Sequence, residues 1–170
     1  MRVTPTEERA RRVAAEVTDP EMPMLTLADL GVLRTVEIQD DCVVAAITPT
    51  YLGCPAMATM RDDLTHRLRD AGFARVEIRV VLDPPWSSDW ISERGRAALK
   101  EHGLSPPGPL KSRARNRPLL IALGPTRRTA PCPRCGSAQT SLTSEFGATA
   151  CKALYRCEDC LEPFEHVKEI

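Results

Sequence analysis

Two short cysteine pairs constrain this chain more than anything else in it: Cys132-Pro133-Arg134-Cys135-Gly136 and Cys157-Glu158-Asp159-Cys160, with 21 residues between Cys135 and Cys157. A two-residue spacer lets one tight turn present two thiolates to the same ion, and Gly136 can take the positive φ that such a knuckle turn often requires. Two knuckles complete a tetrahedron. Around them Gln139–Glu145, Ala153–Arg156 and Pro163–Lys168 read as short strands. A segment of about 40 residues holds too little core to fold without a staple, so the spacing predicts a zinc ribbon over residues 132–170. One structural Zn2+ per chain would be held by Cys132, Cys135, Cys157 and Cys160, with rubredoxin-like iron and disulfides as the competing uses of the same thiols.

The remaining cysteines bear on compartment and chemistry. Seven in all is an odd number, and the opening residues Met1 to Glu8 have no apolar signal stretch and carry acids that a mitochondrial transit peptide avoids. The expected location is the cytoplasm, with no membrane span, because apolar runs such as Cys42–Ile47 are far too short to cross a bilayer. Cys42 lies in a strand-like run and reads as a small buried hydrophobe, whereas Cys151 could pack, remain a thiol or replace a knuckle ligand. Cys54 is different. It precedes Pro55 and a run with Ala56, Met57, Met60, Leu64 and Leu68 at helical spacing, which places it at the helix N-cap, where the dipole favours a thiolate.

A pass along the first hundred residues supplies the host for that thiol. Thr4-Pro5-Thr6-Glu7 has the form of a capping box and opens a helix with Ala10, Val13, Ala14 and Val17 on one face, ending before Asp19-Pro20. Leu33–Ile38 and Cys42–Thr48 flank Gln39-Asp40-Asp41 as a hairpin, a helix runs from Pro55 to Ala71, and Ala74–Leu82 alternates as a third strand, parallel or antiparallel to the hairpin. Asp89–Lys100 reads as a helix, and Pro106, Pro107 and Pro109 break the chain. The expected fold class is α+β: a small three-stranded sheet with helices over residues 1–104, a proline-rich and basic linker over 105–131 with room for a strand at Arg117–Leu123, and the β-rich zinc ribbon over 132–170.

Three motifs then carry a resemblance. Asp19-Pro20-Glu21-Met22-Pro23, Leu27-Ala28-Asp29-Leu30-Gly31-Val32-Leu33 and Thr48-Pro49-Thr50-Tyr51-Leu52-Gly53-Cys54-Pro55 resemble the SufT-like metal-sulfur-cluster assembly domain. Joined to Phe146–Cys157 and the two knuckles, nearly the whole chain is similar to the D-subunit family of bacterial phenylacetyl-CoA epoxidases. The resemblance implies a place in phenylacetate catabolism, beside a di-iron oxygenase that epoxidises the ring of phenylacetyl-CoA and a reductase that supplies its electrons. It implies an accessory protein that assists maturation of the di-iron or iron-sulfur centres of those oxygenase and reductase partners. In that reading Cys54 binds iron or an iron-sulfur cluster transiently, Asp19 and Glu21 line the same surface, and the ribbon serves docking.

The residues also say what the chain is not. A carboxylate-bridged di-iron site takes two Glu-x-x-His helical motifs, and the three histidines, His66, His102 and His166, have no Glu three residues before them. No glycine-rich loop suits a dinucleotide, so the chain is expected not to be catalytic by itself. Charge is uneven: residues 1–93 hold 10 basic and 16 acidic residues, 94–131 hold 9 and 1, and 132–170 hold 4 and 6, giving −6, +8 and −2. Two alternatives follow. One is a stable non-catalytic subunit of the oxygenase complex, with Trp86, Trp90 and the basic linker as interface anchors. The other is a nucleic-acid-binding ribbon using Lys111, Arg113, Arg115, Arg117, Arg127 and Arg128, which the zero net charge disfavours. A homodimer is compatible with either.

Overall fold

The computed structural model describes residues 5–110 and 130–170. The expected Thr4 cap, the Arg117–Leu123 strand and the basic cluster from Lys111 to Arg128 lie outside the described residues. The chain divides into two compact units, one of residues 1–102 with Ile170 and the other of residues 103–169.

The first unit begins with helix α1 (Pro5–Ala15). Ala10 and Ala14, one turn apart, are fully buried, and Arg11 on another side donates from Nε to the Val36 carbonyl at 3.0 Å. Strands β1 (Leu33–Gln39) and β2 (Cys42–Ile47) form the expected antiparallel hairpin. Its turn is Asp40-Asp41 with φ of 48° and 60°, the left-handed pair that a two-residue hairpin loop demands and that aspartate tolerates. From Val43 to Ile47 every residue of β2 is buried, as befits the central strand of the order β1-β2-β3.

Helix α2 (Met57–Asp70) buries Met60, Leu64 and Leu68, and Gly72 at φ 92° reverses the chain. Strand β3 (Arg75–Val80) then runs parallel to β2, which settles an orientation that periodicity alone left open. The expected helix over Asp89–Lys100 is two pieces, a 3-10 turn at Ser88–Trp90 and α3 (Glu93–Glu101). Ser92 separates them because its hydroxyl accepts the Gly95 N–H at 2.9 Å, an N-cap that holds Ser92 itself extended.

The loop between α1 and β1 is pinned from inside. Asp29 is buried, and its carboxylate accepts from Thr26 N–H at 3.2 Å, Thr26 Oγ1 at 2.8 Å and Ser92 Oγ at 2.8 Å, with Arg94 as its ion-pair partner. Gly31, at φ 68°, passes so close to Trp90 that an added Cβ would lie 2.6 Å from the Trp90 Cβ. Trp86 is buried and donates from Nε1 to the Leu30 carbonyl at 2.8 Å, so it serves as core.

The second unit is a four-stranded sheet in the order β4-β7-β6-β5, with β5 (Thr140–Ser144), β6 (Lys152–Cys157) and β7 (Pro163–Val167) forming an antiparallel run. Its core is Ala130, Cys132, Ala153, Tyr155, Cys157 and Phe164, with the Tyr155 and Phe164 rings stacked at 5.8 Å. The fourth strand, β4 (Leu104–Ser105), adds parallel to β7, so Ser105 is a sheet residue where the sequence suggested the start of a linker. Two side chains fasten this strand: His166 Nδ1 lies 3.2 Å from Ser105 Oγ, and Glu169 accepts the Gly108 N–H at 2.9 Å. Hydrogen bonding with His166 holds the Glu169 carboxyl at about 2, against the opposing effect of burial.

Candidate functional site

Two sites bear the chemistry, one in each unit. In the second unit the knuckles are built alike. Cys132 N–H donates to Ser137 O at 2.9 Å and Cys157 N–H to Glu162 O at 2.9 Å, closing each loop over its two thiols. Gly136 takes φ 77° in the first, and Leu161 takes φ 62° in the second. A left-handed leucine costs about 1–2 kcal/mol, and nothing in the residue types around it announces that conformation.

The two turns bring Cys132, Cys135, Cys157 and Cys160 together with their Sγ atoms all within 4.8 Å of one another. Cys135 and Cys157 lie 3.5 Å apart and Cys132 and Cys160 lie 3.7 Å apart. Sulfurs bound tetrahedrally at about 2.3 Å from one ion would stand about 3.8 Å apart, so the set fits a four-thiolate metal site. Its protonation points the same way. Cys157 is pushed down to about 7, chiefly by the Cys160 N–H and then by that of Asp159. The Ser137 N–H favours a Cys135 thiolate, yet Cys135 is pushed up to about 12 by its contact with Cys157 and by burial. Neighbouring thiols thus share protons, and only a cation lets all four ionise together. Cys151, buried with its Sγ 3.1 Å from Thr149 Oγ1, stands outside the cluster.

In the first unit the Thr48–Pro55 loop carries Cys54, which is half-buried. Its position corrects the sequence reading. Helix α2 has Ala56 as its N-cap, with no side-chain cap, and Cys54 lies two residues earlier. The cause is Pro55, which disfavours helical geometry in the residue before it and favours a turn. The Cys54 carbonyl accepts the Met57 N–H at 3.3 Å, so the backbone of Cys54 meets the first amide of the helix.

Asp19 and Glu21 lie on the segment after α1, in different roles. Asp19 is buried, and its Oδ1 accepts the backbone N–H groups of Glu21 at 2.8 Å and Met22 at 2.7 Å, a turn that shapes the loop. Glu21 is half-buried. The four ribbon cysteines are the sole group of three or more such donors among the described residues, so Cys54, Asp19 and Glu21 do not make a closed ligand set. Beside the Cys54 loop, Thr48, Pro49, Tyr51, Leu52, Leu82 and Trp86 line an apolar cavity of about 380 Å3. The Thr48 hydroxyl is buried there without a hydrogen-bond partner, and Leu52 is 81% exposed. Residue types gave no sign of either feature.

The two units thus define a class of protein in which an iron-sulfur assembly fold is joined to a four-cysteine ribbon. Residues 7–84 match the family described as iron-sulfur cluster assembly protein, and residues 120–168 match the PaaD zinc beta ribbon domain. Among solved structures, a domain of unknown function, DUF59, from Bacillus anthracis is 27% identical, with a TM-score of 0.51, covering 55% of this chain and 90% of that one. A Bacillus subtilis (strain 168) protein, the Fe-S protein maturation auxiliary factor YitW, is 29% identical over 49% of this chain and 83% of its own length. An Escherichia coli (strain K12) protein, provisionally named as the D-subunit of 1,2-phenylacetyl-CoA epoxidase, is 42% identical over 91% of this chain and 87% of its own. The chain belongs to the D-subunit family of phenylacetyl-CoA epoxidases. No helix among the described residues is long and apolar enough to cross a membrane.

Proposed function

We propose that this chain is an accessory component of a phenylacetyl-CoA epoxidase system that assists maturation of the metal centres of its oxygenase and reductase partners. The observation that carries this reading is the pairing, in one chain, of an assembly-type first unit, akin to an Fe-S maturation auxiliary factor, with a ribbon of the PaaD type. Zn2+ at Cys132, Cys135, Cys157 and Cys160 is structural: four thiolates leave no open position for a substrate, and the ion staples a small core. The ribbon then acts in docking.

The working thiol is Cys54, and iron or an iron-sulfur cluster is its cargo rather than a resident cofactor. A single half-buried thiol outside any closed donor set suits cargo that must be released, since a full cage would hold it. Glu21 faces the cargo as a hard oxygen donor, and Asp19 holds the Glu21 backbone in place through its hydrogen bond.

The test compares iron content and specific activity of the oxygenase and reductase purified from cells expressing the wild-type chain, Cys54→Ser or no chain. Iron-poor partners from both deficient strains, with activity regained on reconstitution, support the proposal. Fully metallated partners that become active only on stoichiometric addition of this protein, with Cys54→Ser as good as wild type, would identify a non-catalytic structural component and refute it.

A further inference from the structure

Strand β3 lies at the edge of its sheet, and its pairing with β2 runs without a bulge from Cys42↔Arg75 to Ile47↔Val80. Exposed edges are ordinarily blunted by charged side chains, proline or a bulge; Arg75-Val76-Glu77-Ile78-Arg79-Val80 has no proline and no bulge, and its charges alternate in sign along one face, so they can complement those of a second copy. Just beyond it the Val81 N–H donates to the Ile47 carbonyl at 2.8 Å. Backbone groups alternate along a strand, so Arg75, Glu77 and Arg79 turn theirs toward β2, whereas Val76, Ile78 and Val80 turn theirs outward. A groove of about 520 Å3 follows this edge, lined by Arg61, Thr65 and Arg69 of α2 and by Val76 and Ile78 of β3. Val80 is 44% exposed and Leu82 is 55% exposed at its end.

We infer that this edge is a self-association surface, on which a second copy of the chain adds its own β3 antiparallel, centred on Ile78. Outward-facing residues must meet outward-facing residues, so the register can change only in steps that move the two-fold axis from one β3 residue to the next. Centred on Ile78, the ladder sets Glu77 opposite Arg79 of the second copy twice, and Val76 opposite Val80 twice. Centred on Glu77, it sets Glu77 against itself and Arg75 against Arg79. Centred on Arg79, it sets Arg79 against itself. Centred on Val76, it sets Arg75 opposite Glu77 but runs off the start of the strand beyond that pair, so the first register alone joins opposite charges to a ladder of five β3 residues, and it does so at non-hydrogen-bonded positions, where side chains approach most closely.

Within one chain Glu77 and Arg79 already form an ion pair at 2.7 Å, both about half exposed, and association exchanges these two contacts, one in each copy, for two cross-strand ones. The second copy's valines and Ile78 fill the groove under α2. A single strand edge buries less area than a permanent dimer needs, so the association is weak and reversible. Neither Cys54 nor the ribbon cysteines take part, so self-association is independent of the maturation role.

Sedimentation of the full chain over a concentration series tests it, with wild type, Glu77→Arg, Arg79→Glu and the double exchange Glu77→Arg/Arg79→Glu. Wild type shows a concentration-dependent dimer. Each single change, which makes both cross-strand pairs like-charged, weakens it about tenfold or more, and the double exchange restores it. A wild-type chain that stays monomeric to about 1 mM overturns the inference. Single variants that dimerise like wild type, or a double variant as weak as the singles, do so equally.

Discussion

Replacing Asp29 with alanine should destabilise the first unit more than most single changes. The substitution leaves the Thr26 N–H, the Thr26 hydroxyl and the Ser92 hydroxyl without their acceptor in a buried place. A hydrogen bond to a charged acceptor contributes about 1.5–3 kcal/mol, but the three share one carboxylate and do not add. Arg94 is 67% exposed, and its ion pair adds less than about 1 kcal/mol. The total is about 3 kcal/mol, and with an m-value of about 1.5 kcal/mol/M the urea midpoint falls by about 2 M. Both tryptophans of the chain, Trp86 and Trp90, belong to the first unit, so tryptophan fluorescence reports its unfolding alone.

Asp29→Asn sharpens the test through pH. Burial alone would raise the Asp29 carboxyl, but hydrogen bonds from Thr26 and Ser92, with the Arg94 charge, outweigh it and hold it below the ordinary 3.8. A depressed folded value means the carboxylate contributes stability above 3.8 that is lost as pH falls through the folded value. The wild-type advantage over Asp29→Asn is therefore full at neutral pH and shrinks in acid below about pH 4. A midpoint shift for Asp29→Ala under about 0.5 M, or an advantage over Asp29→Asn that grows with acid, would refute the reasoning.

Two further outcomes follow from the geometry. Stripping the ribbon metal with a strong chelator, or making Cys132→Ser, should abolish the amide dispersion of residues 130–170 in NMR and leave the tryptophan unfolding midpoint in place; a ribbon that stays folded without metal contradicts the role of the ion as a staple. Gly31→Ala combines a left-handed φ of 68° with a Cβ driven to 2.6 Å from that of Trp90. It should cost about 2–4 kcal/mol by urea titration, and a cost below about 1 kcal/mol would show that the Trp90 segment yields easily.

What could be read from the sequence was local. The knuckle spacing announced the sulfur cluster, and Asp40-Asp41 between alternating runs announced a hairpin, because each rests on residues a few positions apart. The parallel sense of β3 depends on how α2 crosses the sheet, which no residue type encodes. Asp29 shows the limit well. Thr26-x-x-Asp29 hints at a side-chain turn, but its partner Ser92 lies 63 positions away and is chosen by the packing of α3. Cys54 was misplaced by two positions since a proline after cysteine can open a helix or a turn, and the turn prevails here. Leu104 and Ser105 failed to register as strand because two residues carry no periodicity.

That last element draws the C-terminal sheet from two separated stretches of sequence. Its sheet takes β4 from residues 104–105 and its other described strands from residues beyond 139, so neighbouring strands of one sheet stand far apart along the chain. Were the chain divided between residues 110 and 130, the two peptides would still be joined by the β4–β7 ladder, the Ser105–His166 contact, the Gly108–Glu169 bond and the hydrogen bonds of Ser88 with Ile170. They would travel as one particle until the ribbon is melted. A ribbon fragment begun at Cys132 would instead bare the whole flank of β7, the kind of open edge along which proteins stick to one another.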